Sequence, residues 1–101
     1  QEPSAIAALL LDLSEGGVQV LTAAGDAPEE THYGLEVVHA TTSDAVGARL
    51  RVARVWQRAD GVNVRTGFAF TAPKETRAVL GRELSEAPHH LLRCVLHPVV
   101  P

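Results

Sequence analysis

Apolar residues fall along the chain in short runs separated by turn chemistry, and that pattern predicts strands. Ala5 to Leu13 is apolar almost throughout and closes in Asp12-Leu13-Ser14-Glu15-Gly16-Gly17. A short apolar run ended by turn residues reads as a buried strand. Val18 to Leu21 resumes the alternation, so the glycine pair is expected in a tight reversal or bulge between two strands. Thr22 to Tyr33 has no periodicity and carries Gly25, Asp26, Pro28 and two consecutive glutamates, the composition of an exposed loop. Gly34 to Thr41, with Leu35, Val37 and Val38, is the next expected strand.

From Ala45 to Gln57 the alternation slips. Leu50, Val52, Arg54 and Trp56 share one parity, and Arg51, Ala53 and Val55 the other, so the apolar side changes partway along. A bulge, or burial on both sides at one end, would account for it. Ala59-Asp60-Gly61 reads as a turn, and Val62 to Phe70 returns as a strand with Phe68 and Phe70 on one side. The period then lengthens. Pro73 sits in a first helical turn, Val79, Leu80 and Leu84 form an apolar stripe, and Pro88 ends the pattern, giving a helix over 73–86. Within the tail 87–101, Leu91 to Val100 is apolar enough for a further strand, which Pro98 suits to an edge. One helix cannot cover a wide sheet but can close a small barrel. The expected fold is a single domain over 1–101, all-β with one helix: a small antiparallel barrel, its strands within about 5–70, capped by a C-terminal α-helix.

Composition narrows the functional classes. The 101 residues suffice for one core, and a hydrophobic fraction of 46% with 21% charged residues is that of a globular protein. The longest apolar run, Ala5 to Leu11, is far short of the ~20 residues a spanning helix needs, and no basic segment precedes it. Neither membrane insertion nor a signal peptide is expected. Cys94 is the single cysteine, so no internal disulfide forms, which fits a reducing, cytoplasmic setting. A net charge of −3 argues against nucleic-acid binding. The charges are nevertheless segregated. No Lys or Arg occurs up to Val38, whereas Arg49, Arg51, Arg54, Arg58 and Arg65 face a single acid, Asp60, across the next stretch. Such a cluster offers a place for an anion or an acidic partner. Its ordinary alternative is the solvated face of a strand.

The sharpest local signal is Asp12-Leu13-Ser14-Glu15-Gly16-Gly17. The pattern D-x-S-x-x-G at a strand-to-strand turn resembles half of the PilZ signature, with Asp12, Ser14 and Gly17 in its three fixed positions. Val55-Trp56 resembles that family's Val/Trp strand, Gly67-Phe68-Ala69-Phe70 its Gly-x-x-Phe strand, and the helix from Pro73 follows in the same order. The resemblance implies a six-stranded barrel with a C-terminal helix and a regulatory, non-enzymatic role in binding the bacterial second messenger cyclic di-GMP. It implies that Asp12 and Ser14 contact a guanine. The base presents two adjacent N–H donors that one carboxylate accepts together. Gly17, lacking a Cβ, would give clearance. The family's R-x-x-x-R element has no counterpart among Gln1 to Leu11, which marks a divergent or truncated member. Arg49, Arg51 and Arg54 are then the arginines expected nearest the phosphates. The turn itself offers a plainer role for Asp12, Ser14 and Gly17, as residues that tie down the reversal. A second functional class, a nucleotide-independent protein–protein interaction module on the same barrel, predicts an apolar patch or a free strand edge that a second copy of the chain could fill.

Other chemistry is thinner. His89, His90, Cys94 and His97 include a Cys-x-x-His spacing but no partner pair, so no metal is expected. His32 and His39 stand alone, Ser14 is in no nucleophile elbow, and Glu15-Gly16-Gly17 lacks the spacing and lysine of a phosphate loop. Neither a cofactor nor a catalytic set is expected. Trp56 is expected to pack beneath the helix rather than to meet a ligand.

Overall fold

The computed structural model describes residues 4–14, 16–38, 49–72 and 93–99. They form six strands: β1 (Ile6–Leu13), β2 (Gly17–Ala23), β3 (His32–Val38), β4 (Leu50–Asp60), β5 (Asn63–Phe70) and β6 (Arg93–Pro98). The helix expected over 73–86 lies outside the described residues. All neighbouring strands are antiparallel, and the order β1-β2-β5-β4-β3-β6 closes into a barrel through the pairing of β6 with β1. Among the described residues every strand therefore has a neighbour on each side along part of its length, so no strand stands as a whole free edge.

The core follows from the two-residue period of a strand. Ala8 and Leu10, Val18 and Val20, Tyr33, Leu35 and Val37, Leu50 and Val52, Phe68 and Phe70, and Cys94 and Leu96 are all buried. Each pair or triplet is spaced by two along its own strand, so six one-sided strands supply one interior. Tyr33 meets Phe68 edge to face, with centroids 5.7 Å apart, and its hydroxyl accepts a hydrogen bond from Glu30 N at 2.9 Å.

Two bulges shift the phase of this alternation. In β1 the register passes from Leu10↔Val20 to Asp12↔Gln19, leaving Leu11 as the extra residue. As a result Leu13 packs on the core and Asp12 is exposed. In β4 it passes from Arg54↔Phe68 to Trp56↔Gly67, leaving Val55 extra. The change of apolar side read along 45–57 is this bulge.

Three elements differ from the sequence reading. The stretch Thr22 to Tyr33 is loop only in its middle. β2 runs on to Ala23, a single 3-10 turn covers Ala24–Asp26, and β3 begins at His32. Pro28 is buried, and its carbonyl accepts from Arg54 Nη1 at 3.0 Å and Gln57 Nε2 at 2.8 Å. These bonds draw the loop over one end of the barrel. The tail strand β6 is not an edge, since it pairs with both β1 and β3. Pro98 is tolerated because it is the last strand residue and lies past Ile6↔Leu96, where the β1 ladder has ended.

Cys94 is buried, and burial pushes its thiol up to about 12 from the model-compound value of 9.0. Because the folded-state value is the higher one, the thiol's contribution to stability is complete below pH 9 and is lost as pH rises from there towards 12. At neutral pH a thiol reagent is therefore expected to label Cys94 only as fast as the barrel opens. Denatured protein should react at once. Rapid labelling of native protein would contradict this placement.

Candidate functional site

The two bulges bring distant residues into one row across the outside of the barrel. Asp12 lies opposite Gln19, Gln19 opposite Gly67, and Gly67 opposite Trp56. A cavity of about 210 Å³ opens along this row, lined among others by Asp12, Ser14, Gly17, Gln19, Trp56 and Gly67. It is formed by β1, the β1–β2 turn, β2, β5 and β4.

Its floor exists because Gly67 has no side chain. A Cβ there would collide with the indole ring of Trp56. The ring therefore sits against the β5 backbone at Gly67, yet stays 37% exposed. Trp56 does not sit in the core, although its parity with Leu50 and Val52 suggests that, because the bulge at Val55 turns it outward. Arg58, two residues on and on the same face, holds its guanidinium carbon 5.6 Å from the indole centroid, within cation–π range. The helix beneath which Trp56 is expected to pack lies outside the described residues, and Arg58 is one of the clustered arginines expected to offer a place for an anion. The signal available for both was the parity slip at Val55.

Each residue of the turn motif has a definite job. Ser14 N and Ser14 Oγ both donate to Gly17 O, at 2.9 and 3.3 Å, which closes the hairpin. A Cβ at Gly17 would strike the carbonyl oxygen of Phe68 on β5. This glycine is thus demanded by close strand approach and not by a positive φ. Asp12 differs from both. Its carboxylate is exposed on the cavity wall and makes no hydrogen bond among the described residues. Ser14 and Gly17 build the turn, and Asp12 is left available. Gly17→Ala is accordingly expected to destabilise the fold by about 1–3 kcal/mol through overpacking, measured by urea unfolding. Unchanged stability would show that β5 can move aside.

The arginines expected near phosphates are not brought to this cavity. The Arg54 guanidinium is engaged with Pro28 O at the barrel end. The methylenes of Arg49 lie against Gly34, and Arg51 is exposed on β4 opposite Gly34. Arg65 pairs with Asp60 at 3.1 Å in a partly exposed salt bridge, an arrangement of small energetic weight. Among the described residues Arg58 is the cation beside the cavity, through its contact with Trp56. At the tail, Cys94 is buried while His97 lies on the outside, 3.4 Å from Glu36, so the Cys-x-x-His spacing does not converge. His89 and His90 lie outside the described residues. Among the described residues no group of three metal-ligating side chains occurs, and no helix is long and apolar enough to cross a membrane.

No family model, curated protein or solved structure matches this chain.

Proposed function

We propose that the chain is a PilZ-type regulatory module that holds a guanine base of cyclic di-GMP in the outer-face cavity. The observation that carries this reading is the convergence of Asp12 and Trp56 on one cavity, from opposite ends of a four-strand row. An exposed carboxylate without a partner among the described residues offers two acceptor oxygens to adjacent N–H donors. The partly exposed indole seated against Gly67 offers a stacking surface, and Arg58 beside it supplies positive charge for a phosphate. At about 210 Å³ the cavity suits one base rather than a whole dinucleotide, below the usual span of ~300–1,000 Å³ for drug-sized ligands. The rest of the ligand would lie over the surface towards Arg58.

The test exploits Trp56, the chain's single tryptophan. Titration with cyclic di-GMP is followed by calorimetry and by indole fluorescence, with GTP as the control. The expected result is saturable heat together with a change in Trp56 emission, for cyclic di-GMP and not for GTP. A folded protein that gives neither signal would overturn the nucleotide reading.

A second reading rests on a specific feature of the same face. Val55 is 66% exposed beside the 37% exposed Trp56, an apolar pair at the cavity rim. A nucleotide-independent protein–protein contact would use this rim, with Trp56 as the anchor. It is the form that the interaction hypothesis takes once the barrel is closed. Arg49, Arg51 and Arg54 lie away from the cavity, which favours it further.

A further inference from the structure

A second opening lies where the barrel wall parts. β1 and β2 are paired only from Leu9↔Leu21 to Leu13↔Val18. Towards the other end of these strands, β1 stays with β6 as far as Ile6↔Leu96, while β2 stays with β5 as far as Ala23↔Asn63. The strands diverge there, and Ala7 and Ala8 face Thr22 and Ala23 across a slot of about 470 Å³. Three of those four residues are alanines, so little side chain fills the gap. Leu9, Leu21 and Val95 give it apolar walls.

The polar content of the slot is specific. Thr22 is only 4% exposed, lines the slot, and its Oγ1 has no hydrogen-bond partner among the described residues. A buried hydroxyl without a partner is costly, and native structures rarely leave one so. Among the described residues the rim holds one cation and one anion, Arg93 and Asp26, together with Asn63. Apolar walls, one buried hydroxyl and a rim of cancelling charge match an elongated aliphatic molecule with a single uncharged hydrogen-bonding group. The volume lies within the range of small-molecule sites.

We infer that the β1–β2 seam is a binding site for such a molecule, separate from the outer-face cavity, with Thr22 Oγ1 bonding its polar group. The probe is octanol, with octanoate as the charged comparator, titrated into the full chain and followed by amide chemical shifts. Octanol is expected to give saturable shifts at Ala8, Leu9, Thr22 and Val95, with octanoate binding more weakly. Thr22→Val keeps the shape and removes the hydroxyl, and should weaken octanol binding roughly five- to tenfold. The same variant without ligand should melt at a higher temperature than the parent, because it removes an unpaired polar atom. Thr22→Ser, which keeps the hydroxyl, should bind within about twofold of the parent. The inference is overturned if the folded chain gives no saturable shifts, if octanoate binds more tightly than octanol, or if Thr22→Val binds octanol as well as the parent does. A Thr22→Val midpoint below the parent's would show that the hydroxyl is already satisfied, and would overturn it too.

Discussion

Leu96→Ala is expected to destabilise the barrel by about 3 kcal/mol, and a chain ending at residue 92 is expected not to fold cooperatively at all. Leu96 has no exposed surface and lies on β6. It is the register partner of the equally buried Leu35 on one side and of Ile6 on the other. Truncating it leaves a cavity at the point where the last strand closes the ring, and neighbours held in two ladders can collapse little into it. For a domain of this size the loss corresponds to a fall of roughly 12–24 °C in Tm. Removing β6 altogether has a larger effect. It takes Cys94 and Leu96 from the core and exposes the ladders of β1 and β3 together. Thermal and urea unfolding of both variants would check this. A truncated chain with a native-like cooperative transition would mean that β6 only decorates a barrel completed by other residues.

Asp12→Ala is expected to weaken cyclic di-GMP binding by more than about a hundredfold while leaving urea stability within ~0.5 kcal/mol of the parent. The two halves of this prediction have different causes. A carboxylate accepting two N–H bonds forms charge-assisted contacts worth about 1.5–3 kcal/mol each, and leaving the donors unpaired adds to the loss. The fold loses almost nothing, since Asp12 is exposed and makes no hydrogen bond among the described residues. Ser14→Ala should show the reverse balance. Its hydroxyl bonds Gly17 O, so the turn weakens modestly whether or not a ligand is present. Calorimetry paired with urea melts separates these cases. If Asp12→Ala unfolds the protein, Asp12 belongs to the turn and the nucleotide proposal loses its principal contact.

Much of the strand content was legible because a half-buried strand prints its two-residue period on the sequence. Phe68 and Phe70 shared a side in the alternation and share the interior in the barrel. The slip of parity before Trp56 was also legible, and it is the bulge at Val55. Boundaries in the Thr22 to Tyr33 stretch were not. Its polar, turn-forming composition conceals the fact that the Pro28 carbonyl is bound by Arg54 and Gln57 from a strand remote in the chain. The candidate site was half visible. Asp12, Ser14 and Gly17 stood out as a motif, but their division into two turn-builders and one carboxylate without a partner among the described residues depends on the carbonyls of Gly17 and Phe68.

Local pattern is enough to give this chain short antiparallel strands around one small core, with a turn built on Ser14 and Gly17 and a phase change on the arginine-rich strand. These properties are local, because they depend on period, turn chemistry and side-chain size within a few residues. Tertiary structure alone decided that β6 closes the ring between β1 and β3, that Trp56 lies outside on Gly67 with Arg58 beside it, and that Arg54 serves the barrel end. It alone decided that the wall parts beside Thr22. Each of these follows from pairing between strands far apart in the chain. A one-residue change of register moves every side chain to the other face, so no local pattern can specify the result.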